Sequence, residues 1–157
     1  PRRGDVARVY RRVIVPVSGS PDDERAIDLA AAVCAGSDTT LILVYVVEVP
    51  QRYALDVELP EQIERGSQIL ERASEYAQRV ARGKWKRVMT ELLQARVAGA
   101  AIVDEAIERA ADAIIMATRS RWTLGVLTQG ETLPYILDNA PCDVVVVRVA
   151  DQGEARA

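Results

Sequence analysis

The strongest constraint on this chain is a rhythm. Five short apolar runs, at 13–17, 41–47, 85–93, 113–117 and 144–149, alternate with stretches whose apolar residues recur every three or four positions. Val13-Ile14-Val15-Pro16-Val17 is apolar at every position. A strand reads this way when both its faces are covered, which calls for helices on both sides of a parallel sheet. The run at 85–93 has mixed polarity, as expected near a sheet edge. Between the runs, Ile27, Ala30, Ala31 and Cys34 share one helical face, and that helix stops at Gly36. A longer helix over 61–82 carries Ile63, Leu70, Ala73, Ala77 and Val80 and ends at Gly83. A third, over 98–111, turns Ile102, Val103, Ala106, Ile107 and Ala110 inward, and a short fourth helix runs to Ala140. The expected fold is a single-domain α/β structure with a five-stranded parallel sheet.

Length and charge narrow the class. The chain has 157 residues, which is one domain of ordinary size. The expected division is a polar arm over 1–11, a folded domain over 12–150 and a tail over 151–157. Pro1 leaves open whether the chain is whole or part of a longer protein. A net charge of -3 argues against a broad nucleic-acid surface, despite the arginines at 2, 3, 8, 11 and 12. The apolar runs are far shorter than the ~18 residues of a membrane span. With no apolar secretory segment visible, a cytoplasmic location is expected.

Histidine is absent, which removes His bases, Ser-His and Cys-His pairs and His metal ligands. Cys34 and Cys142 are far apart and sit in apolar surroundings, so they read as buried thiols rather than a redox pair or metal site. No phosphate-binding Gly-x-x-x-x-Gly-Lys occurs. Asp104 and Glu105 are adjacent within a helix and point apart, so they make no catalytic dyad. In a parallel sheet, ligands bind beyond the carboxyl ends of the strands, where strand order reverses. That leaves the loops at 18–20, 46–50 and 118–130. In the first, Ser20 is a natural helix cap, Pro21 suits the first helical position and Asp23 completes a capping pattern. Ser18-Gly19-Ser20-Pro21-Asp22-Asp23 is also a near miss to the pyrophosphate loop Ser-Gly-Gly-x-Asp-Ser, but with added acid where pyrophosphate would sit.

Two segments carry a family resemblance: Ala113-Ile-Ile-Met-Ala-Thr-Arg119 with Gly130, and Ala140-Pro-Cys-Asp-Val-Val-Val-Val-Arg148. Together with Val13-Ile-Val-Pro-Val-Ser-Gly-Ser20, they make residues 10–150 similar to the universal stress protein family. The resemblance implies a Rossmann-like sheet in the order 3-2-1-4-5, of the adenine nucleotide alpha hydrolase-like kind. It implies a candidate cleft of Pro16, Val17, Ser18, Val46, Met116, Ala117, Arg119, Ser120, Gly130, Glu131 and Thr132. Many members bind ATP through Gly-x-x-Gly, nine residues, then Gly followed by Ser or Thr. Those positions fall here at Ala117, Ser120, Gly130 and Glu131, and an Asp that contacts adenosine falls at Ser18.

The departures have physical consequences. Ala117 and Ser120 add a Cβ where backbone must approach phosphate. Glu131 sets a carboxylate at a helix N-terminus and repels another anion there. Pro134 displaces the helix start. Arg119 and Arg121 restore some positive charge, unless acidic neighbours pair with them. Trp122 is a loop residue read as a lid or partner contact.

The expectation is therefore a non-catalytic regulatory or stress-response domain with an eroded ATP motif and no resident cofactor or metal, ATP binding being weak or absent. Two alternatives stay open: an adenine-nucleotide binder or slow ATPase, and a regulatory domain of a membrane transporter. In the implied order the fifth strand lies at an edge. Val144, Val145, Val146, Val147 and Arg148 are expected to pair with a second copy.

Overall fold

The structure is a computed structural model that describes residues 10–34, 38–119, 121–123, 126–128 and 132–150. Eleven elements follow one another: β1 (Arg12–Pro16), α1 (Asp22–Cys34), β2 (Thr40–Glu48), α2 (Pro60–Ala81), β3 (Arg87–Ala95), α3 (Ala98–Glu108), β4 (Ala113–Thr118), β5 (Arg121–Thr123), β6 (Val126–Thr128), α4 (Thr132–Asn139) and β7 (Asp143–Arg148). The main sheet has the order β3-β2-β1-β4-β7, and every pairing in it is parallel. Counting only these strands, the order is 3-2-1-4-5, as the resemblance implied. The structure adds a small antiparallel hairpin, β5 with β6, inside what the sequence read as a plain loop over 118–130. Its pairs are short and local, and three residues per strand leave little periodicity to detect.

Alternation along the strands builds two cores. Val13, Val15, Leu41, Leu43, Ala113 and Ile115 face one side, against Ile27 and Ala30 of α1 and Leu70 and Ala77 of α2. Ile14, Ile42, Val44, Ile114 and Met116 face the other, against Ile102 and Ala106 of α3 and Leu133 and Ile136 of α4. Each fully buried Ile or Leu contributes roughly 1.5–3 kcal/mol by leaving water. The helices sit close to the sheet because small residues let them. A Cβ on Gly66 of α2 would stand 2.6 Å from Tyr45 Cδ1 on β2.

Helix ends depart from the sequence expectation in instructive ways. α2 ends with Arg82 and Gly83 both at positive φ, one residue before the predicted stop. α3 ends at Glu108, not 111, because Ala110 turns to φ 49° and the Ala111 N–H donates to the Ala106 carbonyl. Ile107 and Ala110, expected inward, are exposed. The inward face runs through Gly99, Ile102, Val103 and Ala106 and takes in Glu105 instead. Val80 is likewise exposed in the last turn of α2, while the Trp85 indole N–H donates to the Ala77 carbonyl and buries there. Of the two cysteines expected to be buried, Cys34 is and Cys142 is only half-buried. Burial pushes the Cys34 thiol up to about 11, so it is not a thiolate at neutral pH.

Candidate ligand cavity

The site starts with the turn from β1 into α1. Gly19 sits at φ 87°, and a Cβ there would meet Ile69 Cδ1 at 2.8 Å. Glycine is needed for both reasons. Ser20 Oγ accepts the Asp22 N–H at 3.1 Å, which caps α1. The Asp23 carboxylate does not complete the box on Ser20. It turns back along the loop and accepts the Gly19 N–H at 2.8 Å and the Ser18 N–H at 3.1 Å. These two N–H groups therefore point at the chain's own carboxylate. Burial holds the Asp23 carboxyl above its ordinary value, and the Ser18 and Gly19 N–H bonds pull the other way.

Beyond the carboxyl ends of β1, β2 and β4 lies a cavity of about 310 Å³. It is the place where neighbours of β1 lead off in opposite directions across the sheet, the expected ligand position for this topology. Pro16, Val17, Ser18, Val46, Met116, Ala117 and Thr132 line it, so the structure brings these seven sequence-picked residues together. Asp23, Ala26, Val44, Tyr45, Ala98 and Ile102 complete the wall. The sequence reading assigned Asp23 to capping alone. It also passed over Ala98 and Ile102, which stand in the first turns of α3. The clue was that α3, like α4, covers the face that Val44 and Met116 share, and opens toward the same end of the sheet.

Arg119 follows β4 and is not part of the cavity wall. Its Nε donates to both carboxylate oxygens of Asp22, at 2.9 and 2.8 Å. Asp22 is buried at the first turn of α1, where the helix dipole favours a carboxylate. Ser120, Gly130 and Glu131 lie outside the described residues, as do the side chains of Arg121 and Trp122. α4 begins at Thr132, two residues beyond Gly130, and Pro134 sits in its first turn, where a missing N–H costs no intrahelical bond.

A second charged cluster lies outside the cavity wall. Glu105 is buried on α3 and accepts from Arg109 Nε at 2.7 Å, and Arg109 also pairs with Glu91 of β3. Asp104 beside it is exposed, so the two adjacent acids do point apart. Among the described residues, no three His, Cys, Asp or Glu side chains gather as a metal site, and no helix is long and apolar enough to cross a membrane.

Comparison with known proteins agrees with this architecture. A sequence profile described as the universal stress protein family matches residues 9–148. A universal stress protein of Thermus aquaticus is 30% identical over 141 residues, covering 89% of this chain and all of that one. The structure of the Archaeoglobus fulgidus universal stress protein in complex with dAMP superposes with a TM-score of 0.66 at 20% identity, over 88% of this chain and 98% of that one. A universal stress protein in complex with cAMP gives 0.65 at 22% identity, over 91% and 100%. The sheet order, the placement of the helices and the extent of the sequence match lead to one conclusion: the chain belongs to the universal stress protein family.

Proposed function

We propose that this chain is a non-catalytic, ligand-responsive regulatory domain whose cavity holds a nucleotide-type ligand but binds Mg-ATP weakly or not at all. The observation that carries the reading is the charge around the cavity. Among the described residues its one acidic or basic wall residue is Asp23, a carboxylate, and the nearby Arg119 commits its Nε to Asp22. Three acids, Asp22, Asp23 and Glu24, already occupy the first turn of α1, so its dipole is answered from within. The dAMP and cAMP ligands of the two similar structures are mononucleotides of modest size, in keeping with a cavity of about 310 Å³. The chain has no histidine, so the reading invokes no His-based acid–base pair, and the buried Cys34 thiol stands outside the cavity wall.

The same reading includes assembly as a two-fold dimer through β7, which pairs with β4 alone among the described residues.

Calorimetric titration with Mg-ATP tests the ligand reading. The wild type should bind no tighter than high micromolar. Loss of two or three charged contacts at roughly 1–3 kcal/mol each removes several decades of affinity. Ala117→Gly, Ser120→Gly and Glu131→Ser combined should tighten Mg-ATP binding by about tenfold or more, or about 1.4 kcal/mol. Tight binding by the wild type, or no gain in the triple variant, would overturn the reading.

A further inference from the structure

On the side of the sheet opposite β7, β3 (Arg87–Ala95) pairs with β2 alone. One side of this nine-residue strand therefore has no strand partner among the described residues. Its mixed polarity discourages apolar strands, yet a row of backbone N–H and C=O groups is left without a ladder. A groove follows each flank of the strand. The one between α2 and β3, of about 460 Å³, is lined by Leu70, Thr90 and Leu92 together with Glu71 and Glu75. The one between β3 and α3, of about 410 Å³, is lined by Leu55, Leu93, Val97 and Ala101 together with Asp104 and Glu108. These four acids are exposed, and among the described residues none has an ion-pair partner. Two charged residues of the second groove are already engaged. Arg96 donates to the Val49 and Pro50 carbonyls, and Glu105 is paired with Arg109.

Geometry and charge together select an occupant. Side chains of a strand added to β3 alternate between the two flanks, and those on one flank are roughly 6.6 Å apart. Glu71 and Glu75 are four residues apart on α2, as Asp104 and Glu108 are on α3, which is roughly 6 Å along each helix axis. Consecutive basic residues of such a strand therefore fall in turn beside an acid of α2 and an acid of α3. Lys and Arg also suit the groove walls, because their methylene stems lie along apolar surface while the charged heads stay in water. Like charges four residues apart destabilise a helix, and a cationic partner relieves both pairs. A second copy of β3 would instead bring the same acids together. We propose that the β3 edge takes up an extended, basic segment of a partner protein as a sixth strand of the sheet. This surface is separate from the cavity, and the inference does not depend on what the cavity binds.

Fluorescence anisotropy of the full chain with a short labelled peptide carrying a central run of arginines tests this. One control peptide has glutamates in place of the arginines. A second keeps the arginines but is N-methylated at each of them, which preserves charge and removes the N–H groups that a ladder needs. Each control should bind at least tenfold more weakly than the arginine peptide. Glu71→Gln, Glu75→Gln, Asp104→Asn and Glu108→Gln combined should also weaken the arginine peptide at least tenfold, with an unchanged thermal midpoint because all four side chains are exposed. Hydrogen exchange should slow in β3 when the arginine peptide is bound. Equal binding of the N-methylated peptide would mean charge attraction without strand addition and would overturn the proposal. So would no binding of the arginine peptide, unchanged binding in the four-acid variant, or slowed exchange that leaves out β3. Should the four-acid variant not fold, the peptide series and the exchange measurement on the wild type decide alone.

Discussion

Ala110 is a residue whose backbone conformation disagrees with its side chain. Its φ of 49° is in the left-handed region, where a Cβ crowds the carbonyl, at a cost of roughly 1–2 kcal/mol. It is exposed, so little packing offsets that cost. Glycine would remove the strain, although a freer unfolded chain takes back about 0.4–1 kcal/mol. Ala110→Gly should therefore raise stability by about 0.5–1 kcal/mol in urea denaturation. A loss instead would show that the Cβ holds the turn between α3 and β4 in place. At the same scale, the sequence reads Glu105 only as one of two adjacent helix acids that point apart. It is buried because Arg109, one turn later, and Glu91 from β3 form a three-member ion cluster with it. Spacing of four residues signals the first pair. The second pair needs the tertiary approach of α3 to the edge strand.

Among the elements, α1 carries the most local information. The Ser20 cap is written in the sequence as a small hydroxyl residue before Pro21 and a run of acids, and the Ser20 Oγ bond to Asp22 N–H follows. Ser20→Ala should cost about 1 kcal/mol of folding stability. Ser18→Ala should cost much less, since the hydroxyl reaches Asp23 only at 3.5 Å and the Ser18 N–H remains to make the loop bond. Thermal or urea unfolding of the two variants distinguishes them, and equal losses would mean that α1 is capped elsewhere. The destination of the Asp23 carboxylate was not readable from the same stretch. A capping pattern predicts a bond to the cap residue's own N–H. The positive φ of Gly19 swings the preceding N–H groups into the carboxylate's reach instead.

For the whole molecule, the open edge of β7 is the main liability. Within Asp143–Arg148 four consecutive valines follow Asp143, and Val146 is 36% exposed. An exposed apolar edge invites another strand, and a two-fold axis closes the pairing with two copies. Val146→Lys places a charge on that edge and should give monomers or aggregate in sedimentation velocity. A wild-type protein that sediments as a monomer at micromolar concentration would refute the dimer. The opposite edge, β3, is shielded differently. Glu91 on it is bound to Arg109, and its mixed polarity was already visible in the sequence.

The sequence by itself determined the class of fold. Runs apolar at every position, such as Val13–Val17, are stable only when covered on both faces, and helical spacing between them supplies the cover. Physical periodicity is local, so it survives in one dimension. The order of the strands came through the family resemblance rather than through spacing, because which strands adjoin depends on long-range packing. Tertiary structure decided what local patterns cannot encode: that Asp23 belongs to the cavity as well as to its helix, that Arg119 pairs with Asp22 across 97 positions, and that Ala98 and Ile102 close the cavity from a different helix. Each of these depends on where separate elements end in space, and burial around the carboxyl ends of β1, β2 and β4 is set only when all of them are assembled.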